Sequence, residues 1–100
     1  MYGKAQILVN PFKQGETITI PSGSDYISMA PNVDGIQKTK QNQKVVVDRA
    51  QQGYTYDEQL HEPQVIVEGE NGYWEYFYLN EVIVSMNGHA VEYKEHTIVL

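Results

Sequence analysis

Between Gly72 and Val82 the chain reads Gly-Tyr-Trp-Glu-Tyr-Phe-Tyr-Leu-Asn-Glu-Val, an order that few backbones can carry. Side chains alternate along an extended chain, so Tyr73, Glu75, Phe77 and Leu79 leave one face while Trp74, Tyr76 and Tyr78 leave the other. A strand covered on one side only does not need aromatics on both. The stretch predicts a central β-strand with one face in the core and the other partly covered or offered to a partner.

The rest of the chain punctuates as short strands. Ala5 to Val9 is apolar and ends at Asn10-Pro11, where proline has no amide to donate. Glu16 to Ile20 alternates, with Ile18 and Ile20 inward. Pro21-Ser22-Gly23-Ser24 breaks it, and Asp25 to Met29 forms a third strand carrying Ile27 and Met29 on one face. From Ile36 to Arg49 the chain suits a hairpin with its tip near Gln41-Asn42, or one irregular lysine-rich edge strand. Val45-Val46-Val47 is β-branched and predicts a strand with both faces at least partly covered. Ala50 to Pro63 has no strand pattern and suggests a long loop, with room for one helical turn across Asp57 to Leu60. Gln64 to Glu68 is a strand, joined to the aromatic one by a hairpin at Asn71-Gly72. A second Asn-Gly pair, Asn87-Gly88, predicts another hairpin between Val82–Met86 and His89–Tyr93, and Thr97 to Leu100 closes the chain.

One hundred residues with 41% hydrophobic content suffice for a single domain, spanning 1–100, that folds without staples. The chain has no cysteine, which excludes a disulfide framework and thiolate metal sites. No apolar run approaches a membrane span and no signal-peptide core is present, so a soluble, cytoplasmic protein is expected. The net charge of −6 opposes non-specific nucleic-acid binding. Four of the seven basic residues (Lys38, Lys40, Lys44, Arg49) fall within 36–49, and nine of the thirteen acids within 57–95. Either these segments pair across strands, or they present a two-signed surface to a charged protein.

Catalytic patterns are thin. His61, His89 and His96 lack the converging spacing of a metal site with Glu62, Glu92 or Glu95. Glu68 and Glu75 offer a carboxylate pair on neighbouring strands, as many acidic β-domains do. Gly69-Glu70-Asn71-Gly72 joins strand to strand and has no helix N-terminus for an anion. Ser22 and Ser24 flank Gly23 without the strand-to-helix setting of a nucleophile turn. No enzyme activity, cofactor or metal is expected.

The aromatics carry a stronger reading. Tyrosine and tryptophan combine large contact area with a polar tip and anchor interfaces. The expected binding residues are Tyr54, Tyr56, Asp57, Glu58, Tyr73, Trp74, Tyr76 and Tyr78, arranged as one surface with an acidic rim. In the alternative, Tyr54 and Tyr56 fold back to plug the open end of a barrel.

The succession of short strands, with Gly72-Tyr73-Trp74 in the aromatic one and Leu79-Asn80-Glu81-Val82 as a short turn, resembles small SH3-like barrels. The run from Pro63 to Val82 is also similar to small uncharacterised proteins of phages and mobile elements. The first resemblance implies an all-β fold, a closed or partly open barrel of six to eight short antiparallel strands. The Ala-Leu-Tyr-Asp-Tyr segment of peptide-binding SH3 domains is missing, so polyproline binding is not implied. The expected core comprises Ile18, Ile20, Ile27, Val45, Val47, Val65, Val67, Phe77, Leu79, Val82, Val84 and Val91, with Trp74 substantially buried as well. The expected function is a non-enzymatic protein, encoded by a phage or mobile element, that binds a protein of basic character. The alternatives are a self-associating structural component, as a homo-oligomer in a virion or other assembly, and a protein that sequesters a small molecule or nucleotide.

Overall fold

The alternating segments become strands, and the strands assort into three antiparallel sheets. The computed structural model describes residues 2–56 and 59–99. In chain order these hold β1 (Tyr2–Val9), β2 (Thr17–Ile20), β3 (Asp25–Ser28), β4 (Gln37–Lys38), β5 (Gln43–Val46) and β6 (Arg49–Gln51). β7 (Gly53–Tyr56), β8 (Gln59–His61), β9 (Gln64–Glu68), β10 (Trp74–Tyr78), α1 (Glu81–Met86) and β11 (Glu92–Val99) follow. The sheets run β11-β1-β7-β8, β4-β3-β10-β9-β6 and β2-β5. The fold is all-β, but these eleven strands exceed the expected six to eight, and the sheets do not close into a barrel.

β10 is central in its sheet, flanked by β3 and β9. Its Phe77 is fully buried with Val65 and Val67 of β9, Ile18 and Ile20 of β2, and Val47. Phe12, Leu79, Ile83 and Val84 complete this core. The five-stranded sheet and the β2–β5 pair therefore face each other as two layers, and α1 supplies Ile83 and Val84 to the same core.

Several core expectations need correction. Val45 and Val91 are only partly buried against the cluster, and Ile27 is half-buried. Val82 is 60% exposed and Val46 is 58% exposed, so only one face of the valine run is covered. Trp74 is 38% exposed instead of substantially buried.

The largest departure is α1, which stands where Val82–Met86 was expected to be a strand. Asn80 is extended, and its side-chain oxygen accepts from the Ile83 N–H at 2.9 Å, capping the first turn, where Glu81 adds a favourable negative charge. Helical spacing then puts Ile83 and Val84 in the core and turns Val82 outward. Asn87-Gly88 ends the helix instead of turning a hairpin: Gly88 has φ +79°, and the His89 N–H donates to Val84 O at 3.0 Å. A hairpin turn and a helix C-terminus both favour Asn-Gly because both require a residue with positive φ.

The 36–49 segment forms no hairpin of its own. β4 pairs with β3 and β5 with β2. The Thr39 hydroxyl donates to Pro21 O and accepts from the Ser24 N–H, which locks the link between them against the β2–β3 turn. The 50–63 segment is likewise not a loop, for it contains β6, β7 and β8. Of the helical turn expected across 57–60, Asp57 and Glu58 lie outside the described residues, and Gln59 and Leu60 belong to β8. The β9–β10 hairpin does form, with Gly72 at φ +79° in its turn.

Candidate functional site

Register on β10 separates the predicted aromatics. Tyr76 stands opposite Ile27 of β3 and Ile66 of β9, and Tyr78 opposite Gln64. Trp74 stands opposite Glu68 and accepts, at its carbonyl, from the Met29 N–H at 2.9 Å. Phe77, facing the core, marks the inner side, so Trp74, Tyr76, Tyr78, Ile27 and Met29 share the outer face of the sheet. Trp74 and Met29 are exposed, and Tyr76, Tyr78 and Ile27 half-buried. Arg49, opposite Ile66, and the Lys38–Asp25 ion pair at 2.7 Å lie toward its sides.

At its Tyr78 end this face runs into a hollow of about 460 Å³ bordered by Tyr54, His61, Gln51, Gln64 and Tyr78. Tyr54 and His61 are cross-strand partners on β7 and β8, and their rings stack with centroids 4.3 Å apart. Tyr54 remains exposed there and takes no part in the core, so it is not a plug. At the other end of this strand pair the start of β7 lies close against the end of β8 at Gly53, where a Cβ would stand 2.5 Å from His61 O and 2.6 Å from Pro63 Cδ.

Of the eight predicted residues, Tyr54 and Tyr78 thus meet at one hollow, and Trp74 and Tyr76 continue the same sheet face. Tyr73 does not join them. It borders a separate cleft with Glu75, on the inner side. Tyr56 pairs through its backbone with Gln59, and Asp57 and Glu58 lie outside the described residues. Sequence reasoning missed His61 as the stacking partner of Tyr54 and assigned Ile27 to the core. The only signal was its alternation with Tyr26, whose ring stacks on Phe77 at 4.9 Å.

Ser24 is buried, with its hydroxyl donating to Pro21 O at 2.7 Å. Glu68 and Glu75 leave opposite faces of adjoining strands, because Glu75 stands opposite Val67 and not Glu68. His89 approaches Glu16 at 3.4 Å and packs edge-on against Phe12, and His61 stacks on Tyr54. Among the described residues no three His, Cys, Asp or Glu side chains gather as metal ligands. The ion pairs found among them join Lys38 to Asp25, Arg49 to Asp48 and His89 to Glu16, so among the described residues the basic segment does not pair with the acids of 59–95. Likewise, no described helix is long and apolar enough to cross a membrane.

No family model matches the chain, and no curated protein or solved structure is similar enough to match it.

Proposed function

We propose that this is a non-enzymatic binding protein that engages another protein through the outer face of its five-stranded sheet. The observation that carries the reading is the row Trp74, Tyr76 and Tyr78, continued by Ile27 and Met29 and ending at the Tyr54–His61 stack. A tryptophan, tyrosines and a methionine on one sheet face are the residue types that dominate binding energy when a partner excludes water from them. Arg49, Glu68, Gln51 and Gln64 would form the polar rim. The net charge of −6 favours a partner of basic character, whose association would weaken as salt rises.

The test is capture of partners from native-host lysate by the wild-type chain and by a Trp74→Ala, Tyr76→Ala double variant, with light scattering on the free protein. A protein held by the wild type and lost by a folded double variant supports the reading. Equal retention by both removes this face as the interface. A stable homo-oligomer that the double variant dissociates would assign the face to self-association instead.

A further inference from the structure

The two layers of the fold part company where β5 leaves β9. At Asp48 they are still joined, the Asp48 N–H donating to Ile66 O at 2.9 Å, and β6 pairs with β9 from Arg49 onward. On the other side of that point β5 pairs with β2 alone, in an unbroken register from Gln43–Ile20 to Val46–Thr17. The far side of β2 is occupied, because Asn87 bonds to both the N–H and the C=O of Thr19. The far edge of β5 has no strand beside it among the described residues. It borders a cleft of about 1030 Å³ whose opposite wall is the β9–β10 turn, with Tyr26, Val47 and Val67 among its lining.

A free strand edge beside a partly apolar cleft is the arrangement used for strand addition, in which main-chain hydrogen bonds give affinity and flanking side chains give selectivity. β5 carries neither proline nor bulge to block pairing, and only Lys44 discourages it. The charges in the cleft decide what the added strand carries. Lys40 and Lys44 are exposed and solvated, and Lys38 is bound to Asp25, so none of the three needs a partner. Glu75 is half-buried on the inner side, with no ion pair or side-chain hydrogen bond found for it among the described residues. Gly69 makes room for it: a Cβ there would lie 2.9 Å from the Glu75 Cδ. Burial first, and then the neighbouring Glu70, raise its pKa. An incoming cation would offset both.

We infer that this cleft binds an extended peptide that pairs with the free edge of β5 and points a lysine or arginine at Glu75. The site lies on the side of the sheet opposite the aromatic face, and it stands whether or not that face binds a protein.

The probe is the blocked peptide acetyl-Thr-Val-Thr-Lys-Thr-Val-Thr-amide, titrated into the isotope-labelled full chain. Amide resonances of Gln43 to Val46 should shift, and those of Lys44 and Val46, whose N–H groups face the free edge, should gain protection from hydrogen exchange. Replacing the probe's lysine with norleucine should weaken binding about tenfold, a loss of the size expected for one charge pair in a partly buried site. Glu75→Gln should bring the lysine and norleucine peptides to equal affinity. Because the norleucine comparison uses the wild-type protein, the test survives a variant that folds poorly. No shift at β5, shifts confined to Trp74 and Tyr76, or equal binding of the two peptides to the wild type would each overturn the proposal. Trp74→Ala should leave this titration unchanged, which separates failure here from failure of the aromatic face.

Discussion

Asn87 binds Thr19 as a neighbouring strand would: its Oδ1 accepts from the Thr19 N–H at 2.8 Å, and its Nδ2 donates to the Thr19 carbonyl at 3.0 Å. The same Nδ2 reaches Ile83 O at 2.8 Å, so one side chain covers the edge of β2 and ties down the end of α1. Asn87→Ala would leave these backbone groups without a partner in a half-buried place. A loss of about 1–3 kcal/mol is expected, measured as a shift in the urea midpoint at unchanged slope. Asn87→Asp keeps the acceptor but loses both donated bonds, and should also be destabilising.

Phe77 and Trp74 sit on one strand and should respond in opposite ways. Phe77 is fully buried, and Phe77→Ala should cost about 3–5 kcal/mol. Trp74→Ala should cost far less, since the ring is partly exposed. As the only tryptophan, Trp74 also reports on its own surroundings. Its fluorescence should be quenched by iodide in the free protein and protected once a partner covers the sheet face.

Gly53 is required by proximity. A methyl group there would collide with His61 O and with Pro63, both backbone or ring atoms that cannot swing aside. Gly53→Ala should destabilise the protein by about 1–3 kcal/mol. Amide exchange should place the loosening in β7 and β8, with β9 and β10 retaining their protection.

Glu75 predicts a pH dependence with a definite sign. Its pKa in the folded protein is raised above the ordinary 4.5, by burial and then by Glu70. The folded state therefore holds the Glu75 proton more tightly than the unfolded chain does. This contribution to stability is fully present below the unfolded value and is lost as pH rises through the folded one. Lys40, Lys44 and Tyr73 border the same cleft. Glu75→Gln should remove that loss. Denaturation midpoints of variant and wild type should be closest in acid, with the variant the more stable at neutral pH.

The aromatic strand was legible because period-two alternation is a local property. That Phe77 faces the core and Trp74 leaves the other face follows from the order of the residues alone, as do the inward Ile18 and Ile20 and the Asn71-Gly72 turn; that Trp74 is exposed there does not. The loop assigned to 50–63 was misread because its residues are mostly polar. β8 pairs only at the edge of a sheet, exposed throughout, so it has no apolar face for a pattern to reveal. The helix was hidden for the opposite reason: Val82, Ile83 and Val84 favour strands locally, and only the Asn80 cap with the burial of Ile83 and Val84 makes a helix the better solution.

By itself, then, the order of residues determined the β class, the central strand and which of its side chains face the core. The partners of each strand were decided by tertiary structure. Pairing depends on contacts between residues far apart in the chain, such as Asn87 with Thr19 and Tyr76 with Ile27, and one-dimensional spacing carries no record of them. The same holds for the candidate sites. Tyr54 meets Tyr78, and among the described residues the edge of β5 stays open beside the cleft that Glu75 borders, because of how the layers pack and where they separate.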